Sequence, residues 1–188
     1  MNHRPRVKDG AGFSLLEVLV VILIMGIIAA FAIPNALSFA RAYRLHADAS
    51  AIASQLNVTR FRATSKYTPY GLNFNTGANS FTMDRLDTSY GSPSTEFGAL
   101  PLSTGIRFVS TCPVSARPGT IPSGFSGISS SIYFNTRGLP VDSSGVPTNN
   151  NVIYLRNDYN LYDAITVSLG GQISIWTYST GAGAWLRR

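Results

Sequence analysis

Residues 18–40 form a run of 23 without a single charge, and Glu17 stands at its start. A membrane-crossing helix needs about 20 mostly apolar residues, so this run is long enough to span a bilayer. Past Pro34 the apolar positions thin to one face. Leu45, Ala49, Ile52 and Leu56 step by four, three and four, while Arg41, Arg44, Asp48, Gln55 and Arg62 fall mostly elsewhere, as on an amphipathic helix. The spacing predicts one helix over 13–66, closed by Pro69 and Gly71. At 1.5 Å per residue it would be roughly 80 Å long, more than a small globule covers. Its first half must be buried in membrane or against other chains. Pro34 removes a backbone donor and is expected to bend or locally melt the helix. Arg44 and Asp48 are spaced to pair one turn apart. Gly26, Ala29, Ala30 and Ala32 either offer small surfaces for a packed helix or are ordinary helix composition.

Beyond Tyr67 the helical period gives way to short strand-like pieces between turn residues. Residues 70–75 and 81–86, joined by Thr76-Gly77-Ala78-Asn79, read as a hairpin. Residues 106–111, 132–135 and 152–156 read as further strands, and 165–169 with 173–178 as a second hairpin around Gly170-Gly171. Two stretches, 87–105 and 113–131, carry little regular pattern and read as long loops. The fold class is α+β: a long N-terminal helix, membrane-spanning in its first half and amphipathic in its second, packed on a mainly antiparallel β-sheet head.

Composition adds little to this and excludes some partners. A length of 188 residues suits one domain with an appendage. Charged residues are 13% and hydrophobic ones 45%, with the apolar excess near the start. The formal net charge of +6 is mild, well short of an electrostatic case for nucleic acid. Cys112 is the single cysteine, so an intrachain disulfide is impossible and a free structural thiol is expected. Arg4, Arg6 and Lys8 precede the apolar run, and the bias of basic flanks toward the cytoplasm places the N-terminus inside and the head outside.

Three readings of the N-terminal segment compete. A secretory signal peptide would use Ala30-Phe31-Ala32 as its cleavage site, but Glu17 disturbs its apolar core and Ile33-Pro34 follows the cut awkwardly. An uncut anchor leaves Glu17 unexplained, because an acid inside the bilayer costs about 2.5 to 3.5 kcal/mol on insertion scales. A cut between Gly12 and Phe13 uses every oddity: it frees an amine at Phe13 one helical turn from Glu17, and the carboxylate also complements the positive end of the helix dipole. In low-dielectric surroundings the carboxylate could equally pair with the amine of a neighbouring copy.

Gly12-Phe13-Ser14-Leu15-Leu16-Glu17, with its basic leader and the apolar helix behind it, resembles the class III signal of type IV prepilins and type II secretion pseudopilins. The resemblance implies a prepilin peptidase that cuts after Gly12 and N-methylates Phe13. It assigns assembly roles to Glu17, fifth from the cut, and to the helix-kinking Pro34. It divides the chain into a leader (1–12), an assembly helix (13–66) and a head (67–188). Implied partners are the peptidase, other pilin or pseudopilin subunits and, before assembly, the inner membrane with the head in the periplasm. Residues 131–145 and 164–176 resemble the last strands of the GspH/FimT branch of minor pilins. The lack of a C-terminal cysteine pair, common in major pilins, points to a minor subunit.

Catalytic, cofactor and metal sites are not expected. The head beyond Tyr67 holds no histidine, His46 lying on the helix, and the pairs Asp84 with Asp87 and Asp158 with Asp163 read as solvated turn residues. One alternative concerns DNA. The tail "GAGAWLRR" carries Trp185, Arg187 and Arg188, with Trp176 and Tyr178 upstream and Arg117 and Arg137 on expected loops. Arginines bind phosphates and aromatic rings stack on bases. Some FimT-like minor pilins bind DNA for uptake through a basic C-terminal region, which the resemblance makes an alternative function.

Overall fold

A computed structural model of the chain describes residues 14–87, 91–109, 129–148, 151–179 and 183–188. Among the described residues one helix, α1 (Leu15–Ser65), is followed by ten strands: β1 (Tyr70–Asn75), β2 (Ser80–Arg85), β3 (Ser94–Pro101), β4 (Ile106–Val109), β5 (Ser131–Phe134), β6 (Pro140–Val141), β7 (Asn151–Asn157), β8 (Tyr162–Val167), β9 (Ile173–Ser179) and β10 (Ala184–Arg187). The chain divides into two compact units, the first ending at Ala40 and the second beginning at Arg41. The second part of α1 therefore belongs with the strands.

In that second unit the strands form two five-stranded sheets, ordered β3-β2-β1-β5-β6 and β10-β9-β8-β7-β4. Every pairing is antiparallel. Leu45, Ala49, Ile52, Ala53, Leu56 and Ala63 of α1 share one core with Leu72, Phe74 and Ile132 of the first sheet and Phe108, Ile153, Leu155, Ile165 and Val167 of the second. The helical stripe read from the sequence is thus the face that both sheets bury. Alternation along β7 and β8 sorts the other side chains: Val152, Tyr154, Tyr162 and Ala164 point to a smaller cluster with Trp185. Asp163 falls on the odd, helix-facing side with Ile165 and Val167.

Side-chain bonds add to the contact between α1 and the strands. Asp48 accepts from the backbone N–H and the hydroxyl of Ser103, both at 2.8 Å, rather than pairing with Arg44 as the spacing predicts. Arg60 donates to the Gly171 carbonyl at 2.9 Å. Arg62 and Lys66 pair with Glu96 of β3. In the first sheet Gly71 sits opposite Tyr133, and any Cβ there would fall within the Tyr133 ring.

The two hairpins form where turn residues and alternation predict them. Asn75 Oδ1 accepts from Gly77 and Ala78 to fold the first turn, as Asn does at such positions. Three strands go beyond the sequence reading. β3 lies in the stretch read as loop; it is an edge strand exposed along most of its length, so it has no apolar alternation to reveal it and is held by backbone pairing to β2. β6 is two residues long. β10 is the tail itself, paired with β9. Most of 113–131 lies outside the described residues.

The core sets a clear expectation for stability. Leu56 is fully buried whereas Val58 is exposed. Leu56→Ala should lower the unfolding free energy by about 2 to 5 kcal/mol, and Val58→Ala by less than about 0.5 kcal/mol. Urea titration of the full chain in neutral detergent, followed by far-ultraviolet circular dichroism, measures both.

Candidate assembly segment and the His46 clasp

The first unit is an α-helix from Leu15, its first turn closed by the Val18 N–H donating to the Ser14 carbonyl at 3.2 Å. Glu17 lies in that turn, where a carboxylate meets unpaired N–H groups and the positive end of the dipole. An 18-residue window reaches a mean hydropathy of 2.9 with none of it buried. Leu15 is 83% exposed and Phe31 76%. Burying a side chain of this size gains about 1.5 to 3 kcal/mol, so an uncovered stretch of this kind is built to meet another apolar phase. Gly26 has nothing near the place a Cβ would occupy. Glycine within a helix costs about 1 kcal/mol relative to alanine, and no contact among the described residues accounts for it.

Pro34 lies inside α1, and the helical run continues unbroken on both sides. Local melting is therefore absent; well-formed turns before and after the ring carry the helix across one missing donor. Ser38 donates to the Asn35 carbonyl at 2.9 Å in the same turn. Gly12 and Phe13 lie outside the described residues.

In the second unit α1 contributes His46 to a polar contact that sequence spacing does not reveal. His46 Nδ1 is 2.5 Å from Oδ2 of Asp163 on β8, whose side chain is 0% exposed. Arg188 reaches His46 Nε2 from the other side at 3.1 Å. Arginine has only donors, so Nε2 accepts, and Nδ1 carries the proton that it donates to Asp163. Burial pushes the Asp163 carboxyl above its ordinary 3.8, while the hydrogen bond from His46, the neighbouring Thr177 hydroxyl and the Arg188 charge hold it back. Asp163 Oδ1 is buried without a hydrogen-bond partner, so the carboxylate is only partly compensated. With Nε2 occupied by a guanidinium, the ring is in no position to act as a general base. The arrangement is a clasp between helix, sheet and β10.

These positions correct several sequence expectations. Asp84 and Asp163 are buried strand residues, not solvated turn residues, while Asp87 and Asp158 are exposed. Asp158 forms an ion pair with Arg107. Trp185 is 1% exposed, its ring packed at 5.9 Å from Tyr154 and 5.4 Å from Tyr178, so it offers no face for a base to stack on. Arg187 is exposed at the end of β10. Arg188 is engaged by His46, and its backbone N–H donates to Ile175. Trp185 is thus part of the core, while Arg187 and Arg188 are exposed. Arg137 is exposed in a turn, and Arg117 lies outside the described residues. His46 and Asp163 are 117 residues apart; the only sequence signal was that His46 adjoins Leu45 on the flank of the buried stripe. Among the described residues no cluster of three or more His, Cys, Asp or Glu side chains could hold a metal.

Residues 8–33 match the family model described as the prokaryotic N-terminal methylation motif. The chain therefore carries that motif from the end of its basic start into the apolar part of α1. No curated protein sequence matches it. Two solved structures of EpsH, a minor pseudopilin of the type II secretion system of Vibrio cholerae, are similar to it. One is 10% identical, with a TM-score of 0.49, covering 71% of this chain and 97% of the other. The second is 10% identical, with a TM-score of 0.45, covering 70% and 92%.

The clasp implies a pH dependence whose sign follows from burial. A carboxyl raised on folding binds its proton more tightly in the folded state. Its contribution to stability is present below about 3.8 and is lost as pH rises through the raised folded value. Asp163→Asn keeps an acceptor for His46 but removes that titration. The stability of the wild type relative to this variant should therefore decline as pH rises above about 4 and then level off. Urea titrations at closely spaced pH values check this, and a constant difference contradicts it.

Proposed function

We propose that the chain is a minor pilin or pseudopilin subunit. A prepilin peptidase removes residues 1–12, methylates Phe13, and the exposed helix then assembles into a type IV pilus or a type II secretion pseudopilus. Before assembly the helix spans the inner membrane and the head stands in the periplasm. The protein acts structurally, not as an enzyme.

The observation that carries this reading is a helix whose membrane-length apolar stretch has no residue buried among the described residues, and which begins with an acid one turn past a Gly-Phe junction. The match to the methylation motif over the same residues supports it. A freed amine at Phe13 supplies Glu17 with a counter-charge, its own or a neighbour's, and removes the penalty of an unpaired acid in an apolar phase. Gly26 supports it independently, because a small residue without an internal reason suits close approach of a second helix.

The engaged Arg188 and buried Trp185 give the DNA alternative no support, and it is not adopted.

Glu17→Ala should leave cleavage intact but lower incorporation into filaments by about tenfold or more, the equivalent of losing about 1.4 kcal/mol of pairing. Immunoblots of sheared filaments against the membrane pool measure the ratio. Mass spectrometry of filament-incorporated chains should give N-methyl-Phe13 as the first residue. Chains that still carry residues 1–12 in filaments overturn the reading.

A further inference from the structure

Arg41 immediately follows the uncharged run, and it lines a cleft of about 210 Å³ with Arg44, Gly105, Asn157, Asp158 and Tyr159. The Arg41 guanidinium lies 3.7 Å from the Tyr159 ring centroid. Stacking occupies its face and leaves its in-plane N–H groups available. Arg44 is exposed on the same helix. Among the described residues neither arginine has a carboxylate within ion-pair distance, and Asp158, the one acid of the cleft, is taken by Arg107. Two uncompensated cations therefore share the cleft.

A third donor is idle beside them. Asn157 is 4% exposed, and its Oδ1 accepts from the backbone N–H groups of Tyr159 and Leu161, both at 3.0 Å. Those two bonds fix which end of the amide is oxygen. Its Nδ2 is left buried with no partner, an unusual and costly condition. The cleft thus holds two guanidinium groups without a carboxylate of their own and an amide donor without a partner, beside one carboxylate already engaged.

We propose that this cleft binds the phosphate of an anionic phospholipid headgroup. The inference rests on the membrane anchorage proposed above. Guanidinium groups recognise phosphate through paired N–H bonds. The volume is below the ~300 to 1,000 Å³ of sites for drug-sized ligands, which suits a headgroup rather than a large cofactor. Chain connectivity keeps Arg41 one residue beyond the uncharged run, at the hydrocarbon boundary whenever that run lies in a bilayer. Arginine on a translocated flank runs against the usual charge bias, whereas tyrosine is favoured at headgroup level; Tyr159 is exposed there. A subunit that leaves the bilayer for a filament gives up this headgroup, so the two arginines oppose premature extraction.

Full-length protein in neutral detergent mixed micelles, titrated with phosphatidylglycerol and read by native mass spectrometry, tests the idea. Apparent affinity should fall about tenfold or more in Arg41→Gln/Arg44→Gln and measurably in Arg44→Gln alone, which leaves the Tyr159 stack in place. Arg137→Gln, an exposed arginine elsewhere, should not change it, and phosphatidylcholine, with no net charge, should be retained only at background. Thermal unfolding verifies that the variants are folded. Equal retention by wild type and the double variant overturns the proposal, as does an equal loss in Arg137→Gln. Inorganic phosphate that displaces the lipid at equal concentration also overturns it, by assigning the site to a free anion. Membrane fractionation separates the two readings: wild-type chain in the soluble fraction sinks the anchorage, whereas membrane-bound variants with unchanged lipid retention sink only the cleft.

Discussion

The stripe of Leu45, Ala49, Ile52 and Leu56 on α1 is the contact on which the folded head depends. It lies in one core with apolar residues of both five-stranded sheets, so each sheet uses the same helical face to remove its inner side from water. Hydrophobic burial is non-directional, and by itself it does not choose where along the stripe each sheet settles. The polar bonds from the same helix make that choice. Asp48 to Ser103, His46 to Asp163 and Arg60 to Gly171 each join a helical side chain to a separate point on the strands or their connections. A helix displaced by one turn would break all three and leave Asp163 buried without its donor, which is the costlier loss.

Upstream the same helix obeys a different rule. Its residues are apolar around the whole circumference and none of that window is buried. A helix of this kind is satisfied by hydrocarbon or by other helices, not by one side of a sheet. The change from all-round to one-sided apolarity falls near Arg41, where the chain also divides into its two compact units. One continuous secondary-structure element thereby serves two solvents, and Glu17 and Arg41 mark the two ends of the segment between them.

What the sequence made legible was what periodicity records. Stripe spacing located the buried face of α1, and alternation with turn residues located both hairpins. β3 escaped because an exposed edge strand has no apolar alternation and is defined by its neighbour's backbone. β10 escaped because four residues are too few to show an alternation; Trp185 completes the small cluster around Tyr154 and Tyr178. The clasp escaped because aspartate is normally a surface residue, and only the register of β8 turns Asp163 toward His46. Composition suggested that the head contained no histidine; the helix brings one to it. The run Gly12-Phe13-Ser14-Leu15-Leu16-Glu17 was legible as a local motif, because such a motif depends on adjacent residues and not on distant ones, and residues 8–33 match the methylation-motif model.

Gly71 and Tyr133 illustrate a coupling that neither residue discloses alone. Their strands place them directly opposite, and the ring occupies the space a side chain at 71 would need. The ring in turn packs with Leu86 and Val141 on the side of the first sheet away from the helix. Divergence at these two sites is therefore constrained to be concerted: a lineage that acquires alanine or a larger residue at 71 must first shrink or reorient the aromatic at 133. The pair should drift through sequence space as a unit while the exposed positions of β3 vary independently.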